Sequence, residues 1–259
     1  MAEALVRSDT DARGVAWLTL ARPDRKNAFD AALIAQLVAA IAKIDRTARA
    51  VVLASDGDTF CAGADLAWLK SMVEYGKEQN VTDSRALAQL FAVLDDLPMP
   101  LLARVQGAAI GGGAGLVAVA DIAVASTEAT FGFTEVRLGI IPAVVSPYVV
   151  RRIGPGHATA LFVSGIRFDA RRALEIGLVE AVEAPEELDA KLALYLDAVV
   201  AGGPQAVSAA KRLVREVAGR PVAEVREHTI ERIAALRVSA EGQEGMRAFL
   251  ERRKTRWNA

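Results

Sequence analysis

The stretch Gly107-Ala108-Ala109-Ile110-Gly111-Gly112-Gly113 decides how the middle of this chain folds. An apolar, strand-like run from Leu101 to Val105 precedes it, and an apolar helical run from Gly113 to Ala120 follows. Glycine lets a backbone come close to a ligand, and the first N–H groups of a helix have no partner within that helix. The stretch therefore predicts a strand, a tight turn and a helix whose first amides are free to donate.

A second glycine-bearing turn, Phe60-Cys61-Ala62-Gly63-Ala64-Asp65, has the same setting. It follows the apolar run Ala50 to Ala54 and precedes a helical pattern that begins at Asp65 or Leu66 and ends at Tyr75. Two such turns facing one another can aim two N–H donors at one oxygen that becomes negative during a reaction. The pair predicts an oxyanion hole, in which main-chain amides stabilise the developing charge.

Composition narrows the classes of function. The 259 residues are 53% hydrophobic, enough for a large core in one domain or in one domain with a small appendage. The formal net charge of −1 argues against nucleic acid or an acidic membrane surface as a partner. Cys61, the single cysteine, is expected to be a small buried residue rather than a nucleophile. With so few Cys and His we expect no metal site, and the lack of a leader-like or membrane-spanning run predicts a cytoplasmic protein.

Strands and helices alternate in the first part of the chain, which predicts an α/β core built from βαβ units. Asp30 is the expected N-cap of an amphipathic helix that carries Leu33, Leu37, Ile41 and Ile44 on one face. The remaining predicted elements are strands at 15–20, 121–125 and 130–131 and a helix at 83–97. After Pro142 the pattern is helical, at 144–153, 157–163, 170–176, 185–200, 204–218, 221–236 and 240–252. Such a region predicts a helical cap, or an arm that docks on a neighbouring subunit.

Four motifs occur in an order that resembles the crotonase family, the enoyl-CoA hydratases and isomerases. They are the loop from Arg22-Pro23 to Asn27-Ala28-Phe29, the two glycine turns, and the run Phe131-Gly132-Phe133-Thr134-Glu135 through Pro142. Residues 111–116, 141–148 and 239–245 look most like bacterial methylglutaconyl-CoA hydratases and their isoprenoid-degrading relatives. The resemblance implies a crotonase-like (ββα)n spiral core over residues 1–200 and a C-terminal helical trimerisation region over residues 201–259.

The resemblance also implies roles for individual residues. A CoA thioester that passes through an enolate carries charge on its thioester oxygen, and the implied donors to that oxygen are the backbone amides of Ala64 and Gly112. Glu135 is the implied acid–base group, and its apolar neighbours are expected to raise its pKa. The residues implied to bind substrate and CoA are Arg25, Lys26, Ala28, Ala62, Gly63, Asp65, Leu66, Gly111, Thr134, Pro142, Phe249 and Arg252.

The same family likeness bears on partners. Phe249 and Arg252 resemble a pair that, in relatives, reaches CoA from an adjoining subunit, which implies a homotrimer or a homohexamer built as a dimer of trimers. Coenzyme A is part of the substrate, so no separate cofactor is implied. A methylglutaconyl group would bring a distal carboxylate that needs a partner, for which Arg151, Tyr148, Ser146 and Lys70 are candidates. The stretch Ala143-Val144-Val145 instead indicates an apolar wall.

One position departs from the usual hydratase pattern, because Gly115 stands where a second glutamate is common. The enzyme is then either a hydratase, with Glu135 acting alone or aided by Glu74 or Glu78, or an isomerase that needs a single glutamate. Because the runs at 141–148 and 239–245 resemble those of hydratases, hydration of a short or branched enoyl-CoA is the preferred prediction. An alternative from a different functional class is a non-catalytic module that binds acyl-CoA. A dinucleotide-binding oxidoreductase fits poorly, because residues 111–115 lack the G-x-G-x-x-G spacing.

Overall fold

Two β-sheets organise the chain in a computed structural model that describes residues 4–258, so the ends of the two predicted regions, residues 1–3 and 259, lie outside it. The strands are β1 (Val6–Thr10), β2 (Val15–Leu20), β3 (Ala50–Ser55), β4 (Leu101–Val105), β5 (Ala109–Ile110), β6 (Ile122–Ser126), β7 (Thr130–Gly132), β8 (Arg167–Asp169) and β9 (Ala181–Glu183). The helices are α1 (Ala31–Ala42), α2 (Leu66–Val73), α3 (Lys77–Asp95), α4 (Gly112–Val119), α5 (Ser146–Ser164), α6 (Ala170–Glu175), α7 (Leu188–Ala201), α8 (Pro204–Val217), α9 (Val222–Val238) and α10 (Ala240–Leu250). The predicted boundary at residue 200 falls at the end of α7.

The larger sheet has the strand order β1-β2-β3-β4-β6-β9. Only the β1–β2 pair is antiparallel, and the other pairs are parallel. Parallel neighbours need crossover connections, and the helices between them cover the sheet. All six residues of β3 are buried, as expected for a strand covered on both faces. The α/β expectation is confirmed.

The smaller sheet, β5-β7-β8, positions the site. β5 and β7 pair in parallel, with Ile110 opposite Gly132. The carboxyl ends of parallel strands meet at the same edge, so the turn after Ile110 and the segment after Gly132 leave the sheet side by side. The Gly111 N–H donates to the Gly132 carbonyl at 2.8 Å and joins the two exits.

Helix α4 lies inside the core and leaves the smaller sheet through Gly111. Its residues 113–119 are all buried, which requires the apolar, small-residue composition seen in the sequence. Helix α1 buries Leu33, Ile34, Leu37 and Ile41 against the same core, and Asp30 caps it by accepting from the Leu33 N–H at 2.8 Å. The predicted N-cap and buried face of α1 are thus confirmed, although Ile44 lies beyond the end of the helix.

Several predicted elements need correction. The sequence pattern missed β1, β5, β8 and β9, because β1 is a largely exposed edge strand and the other three have only two or three residues each. The two helices predicted at 144–153 and 157–163 are confirmed as two helical segments of α5, which are separated at Gly154, where φ 75° and ψ 161° are not helical. Helix α3 begins at Lys77, several residues earlier than predicted. Within residues 4–258, no helix has the apolar length needed to cross a bilayer.

Candidate active site

The two glycine turns lie against one another. The Cys61 N–H donates to the Ala108 carbonyl at 2.9 Å, and the Ile110 N–H donates to the Cys61 carbonyl at 2.9 Å. A Cβ atom on Gly113 would collide with the Cys61 carbonyl oxygen and stand 2.9 Å from the Cys61 Cβ. Only glycine permits this approach. The structure therefore brings together the two turns that the sequence singled out.

The amides of Ala64 and Gly112 donate no hydrogen bond within residues 4–258. Phe29 pairs with Ala64 in a parallel bridge, donating to the Gly63 carbonyl at 2.7 Å and accepting from the Asp65 N–H at 2.8 Å. In such a bridge the Ala64 N–H points away from Phe29. Gly112 is the first residue of α4, where an amide has no partner inside the helix. Both amides are available to an external acceptor.

The carboxylate of Glu135 lies beside the turn that begins α4. Glu135 starts a short 3-10 helix, Glu135–Leu138, just beyond β7. Its Oε1 is 3.0 Å from the place that a Cβ on Gly111 would take, and Gly111 has φ +54°. Its Oε2 is buried without a hydrogen-bond partner in the described chain. Burial raises the pKa of Glu135, the direction expected from its apolar neighbours.

Gly115 has no room for a side chain. A Cβ on it would collide with Val145 Cγ1, stand 2.9 Å from Val145 Cβ and stand 3.0 Å from Phe91 Cζ. Both neighbours are buried. The position at which a second carboxylate is common is therefore filled by apolar carbon. Glu74 and Glu78, the other carboxylates considered, are both exposed, one capping the end of α2 and the other in the first turn of α3.

Most of the predicted CoA-binding residues lie around the 60–65 turn. The Ala62 N–H donates to the Lys26 carbonyl at 3.0 Å, which joins the 22–29 loop to the 60–65 turn. Ala28 is buried on that loop, and the side chains of Arg25 and Lys26 extend into solvent. Asp65 is buried and caps α2. The remaining residues of this group are Gly63, packed on the Ile110 carbonyl, and Leu66, exposed at the start of α2.

Four other predicted residues are divided between the site and the C-terminal helices. Thr134 is half-buried directly before Glu135, and Pro142 is buried in the loop that leads to α5. Phe249 is 83% exposed at the end of α10, and Arg252 follows with φ 53°. Helix α10 packs against α8 and α9, and neither residue has a hydrogen bond or ion pair with the two turns in the described chain. Within one chain the structure does not bring these two to the site.

Of the four candidates for a distal carboxylate, Arg151 and Ser146 have polar partners, and Tyr148 has contacts through its ring. Arg151 forms a two-nitrogen ion pair with Asp95 and lies 5.6 Å over the Tyr148 ring. The Tyr148 ring in turn packs on Phe91, and the Ser146 hydroxyl donates to the Ala143 carbonyl at 2.8 Å. Lys70 is exposed on α2 and has no ion pair within residues 4–258. Lys70 is therefore the charged candidate that has no counter-charge within the described residues.

Cys61 is inert. It is fully buried, and burial raises the pKa of its thiol to about 12. A thiol in that state is not a nucleophile near neutral pH. The interpretation of Cys61 as a small buried residue is confirmed.

Asn27 has a structural role in the 22–29 loop that the motifs do not predict. Asn27 is fully buried and takes φ 51°, a left-handed conformation that Asn tolerates better than most residues. Its Nδ2 donates to the Asp56 and Thr59 carbonyls at 2.8 Å each, and its Oδ1 accepts from the Arg22 N–H at 2.9 Å. Asn27 thus joins the loop after β2 to the loop after β3. The one sequence feature that indicates this role is an Asn in a charged loop that contains a Pro.

Comparison with known proteins identifies relatives that match nearly the whole chain. A family profile described as enoyl-CoA hydratase/isomerase matches residues 10–259. An enoyl-CoA hydratase from Shewanella pealeana of known structure superposes with a TM-score of 0.93 at 38% identity, over 98% of this chain and 96% of the other. The 2,3-dehydroadipyl-CoA hydratase of Escherichia coli K12 is 33% identical over 92% of this chain and 93% of its own length. The trans-2-decenoyl-[acyl-carrier-protein] isomerase of Streptococcus mutans is 28% identical over 94% of each chain.

The predicted fold class is confirmed by these likenesses. The α/β chain has the crotonase fold, and a profile match over nearly its whole length assigns the family as well as the fold. This chain belongs to the enoyl-CoA hydratase/isomerase family, the crotonases.

Proposed function

We propose that this protein adds water across the double bond of a short or branched α,β-unsaturated acyl-CoA thioester. The observation that carries the proposal is the half-buried carboxylate of Glu135 beside Gly111, whose Oε2 is buried without a partner in the described chain. It lies next to two contacting turns whose amides at Ala64 and Gly112 donate no hydrogen bond within residues 4–258. A pure acyl-CoA-binding module would need neither a carboxylate kept from water nor a pair of unused amides.

Each group has a step in the proposed reaction. The thioester oxygen accepts hydrogen bonds from the Ala64 and Gly112 amides, and the N-terminal end of α4 adds a favourable dipole. Losing one such donor typically costs about 2.7–4 kcal/mol of transition-state stabilisation. Glu135 takes a proton from water as the water oxygen adds to Cβ, then delivers that proton to Cα on the same face. One carboxylate serves both steps because the two carbons are adjacent.

The acyl-CoA is proposed to lie along the 60–65 turn. Arg25 and Lys26 extend from the loop toward the phosphates, and the backbone of residues 62–66 follows the pantetheine. No cofactor is required beyond the CoA that the substrate carries, and the reaction is assigned to the cytoplasm. For the acyl group we favour a methylglutaconyl-like chain with a distal carboxylate, because Lys70 lacks an ion pair in the described chain and one relative's name specifies a dehydroadipyl group. Val145 forms an apolar wall beside the reacting carbons.

The assembly is proposed to be a trimer or a dimer of trimers, in which Phe249 and Arg252 reach the site of a neighbour. Its support is a set of exposed apolar side chains that a lone chain would leave in water. These are Leu138, Ile140, Ile141, Val163, Ile166, Phe249 and Leu250.

Light scattering coupled to size exclusion tests the assembly. We expect a particle of three or six chains of 27.4 kDa, because closed symmetric assembly would bury these faces. Phe249→Ser combined with Leu250→Ser is expected to shift the mass toward one chain, whereas Val222→Ser, an exposed control on α9, is expected to leave it unchanged. A monomeric wild-type particle would contradict the proposal.

A double-bond isomerase is the second candidate, and Gly115 favours it. With Val145 and Phe91 filling the second acid position, one carboxylate is left beside the glycine turn, and moving one proton between two carbons needs no more. The Streptococcus mutans relative is named as an isomerase. Hydration is ranked first because the runs at 141–148 and 239–245 resemble hydratases.

Turnover in heavy-oxygen water separates the candidates. With a panel of short and branched enoyl-CoA thioesters, a hydratase places the label in a 3-hydroxyacyl product, which mass spectrometry detects. An isomerase gives an unlabelled product with a shifted double bond, and that result would reject hydration. Binding of the thioesters without any product would reject both enzyme functions and leave the binding module.

A further inference from the structure

The guanidinium of Arg22 joins the beginnings of two helices. One nitrogen lies 2.8 Å from Asp30 Oδ2 and also donates to the Ala28 carbonyl at 3.1 Å. The other lies 3.2 Å from Asp65 Oδ2. The Arg22 side chain is 15% exposed and that of Asp65 5%, so the ion pairs are largely shielded from water. Shielded, two-partner contacts of this kind hold geometry far better than exposed pairs.

Each carboxylate divides its two oxygens between a helix cap and Arg22. Asp30 Oδ1 accepts from the Leu33 N–H at the start of α1, and Asp65 Oδ1 accepts from the Ala67 N–H at 2.7 Å at the start of α2. The second oxygen of each faces the guanidinium. The planar fork of Arg can serve both at once, whereas the single ammonium of Lys cannot.

The contacts of Arg22 enclose the segment that carries the Ala64 amide. Asp65 directly follows Ala64, and Ala28 directly precedes Phe29, whose backbone bridges Ala64. The Phe29 ring also lies against Gly112, because a Cβ there would stand 2.9 Å from Phe29 Cε2. Arg22 therefore fixes both flanks of the bridge that sets the direction of the Ala64 N–H and the packing beneath Gly112.

Arg22 also balances charge. Without it, two ionised carboxylates would lie together in a shielded region beside the place where negative charge develops. Their mutual repulsion would push the two helix starts apart, and their field would oppose an enolate.

We infer that Arg22 is a positioning residue for thioester activation, holding the Ala64 amide in its donating direction through Asp65, Asp30 and the Ala28 carbonyl. The inference rests on the proposed function of the two amides. It predicts that loss of Arg22 weakens polarisation of the thioester carbonyl more than it weakens binding of CoA.

Kinetics give the first readout. We expect Arg22→Met to lower kcat by about 100-fold, the loss that a misplacement of about 1 Å can cause, with KM changed by less than about threefold. Arg22→Lys keeps the charge but cannot span both carboxylates, and we expect it to recover about tenfold of that loss. Arg104→Met is the matched control, because Arg104 pairs through two nitrogens with Asp189 on α7, outside the two turns, and its loss is expected to leave kcat unchanged.

The deciding readout is the infrared band of a carbon-13-labelled thioester carbonyl in bound butyryl-CoA, which has no double bond to react. In the wild-type enzyme we expect the band below its frequency in free butyryl-CoA, and in Arg22→Met we expect it to return toward the free value. Asp65→Asn keeps the cap of α2, loses the ion pair, and is expected to move the band the same way, so it decides the matter if Arg22→Met does not fold.

The outcomes are separable. A lowered kcat with the band unmoved in the Arg22 and Asp65 variants would overturn the inference, since Arg22 would then be structural only. A wild-type band at the free frequency would overturn the proposed role of the amides, and the inference with it. A band that shifts back in these variants and stays low in Arg104→Met supports it.

Discussion

Glu135→Gln is expected to abolish turnover of every enoyl-CoA thioester while making the folded chain more stable at neutral pH. The amide has nearly the shape of the carboxylate but cannot accept a proton from water or from Cα. Removing the only acid–base group of either proposed reaction costs at least the ~10²–10⁴-fold that general acid–base catalysis contributes. Single-turnover assays over hours set the limit of the residual rate.

The gain in stability follows from the raised pKa of Glu135. Burial penalises its charged form, and Oε2 has no hydrogen-bond partner in the described chain to compensate. Below the pKa of about 4.3 of an unfolded Glu, the carboxyl is neutral in both states and costs nothing. As pH rises through the raised folded pKa, the wild-type chain loses that stability and Glu135→Gln does not. The difference in Tm should therefore be absent at low pH and full near neutrality.

The activity of the wild-type enzyme has a related pH dependence. A general base must be ionised, so kcat/KM should fall as pH decreases through the raised pKa of Glu135, at higher pH than for an ordinary Glu. Glu128→Gln, in the exposed turn between β6 and β7, serves as control and should change neither Tm nor turnover. Residual turnover in Glu135→Gln within tenfold of wild type, or a Tm gain equal at all pH values, would show that Glu135 is not the buried base.

The skeleton of strands and helices could be predicted where apolar runs are long. Leu101 to Val105 has the same bounds in the sequence pattern and in the structure, and residues 113–119 form the buried helix that their composition indicated. Strand β9 could not be predicted, because three residues carry no period and its pairing with β6 depends on distant chain. A local sequence pattern can indicate a strand, but it does not show which distant strand pairs with it.

The candidate site, like the fold, is only partly predictable from the sequence. The motifs identified the two turns and Glu135, but Glu135 reaches Gly111 because β5 pairs with β7, and the sequence predicts neither the two-residue strand β5 nor this pairing. Arg22 was visible as a charge before a proline, and nothing local shows that Asp30 and Asp65 converge on it. The roles of Glu135 and the two amides stay predictions until the experiments above are done.

Gly115→Glu is expected to fail as a repair of the missing second acid and to destabilise the fold. The new side chain would collide with Val145 and Phe91, both of which are buried and apolar. Overpacking costs about 1–3 kcal/mol, and an unpaired buried carboxylate adds about 3–5 kcal/mol. Denaturant unfolding followed by circular dichroism should show a loss of roughly 4 kcal/mol or more, with turnover falling in proportion to the folded fraction.

Two further variants separate the lack of space from the cost of the charge. Gly156→Glu is the matched control, because a Cβ there meets open space, and it should unfold like the wild type. Val145→Ala added to Gly115→Glu removes the nearest colliding atom, Cγ1, and should recover a part of the overpacking loss but none of the charge part. The contradicting result is that Gly115→Glu keeps wild-type stability and accelerates label uptake from heavy-oxygen water. That result would show that packing by Val145 is not the reason that this site has a single carboxylate.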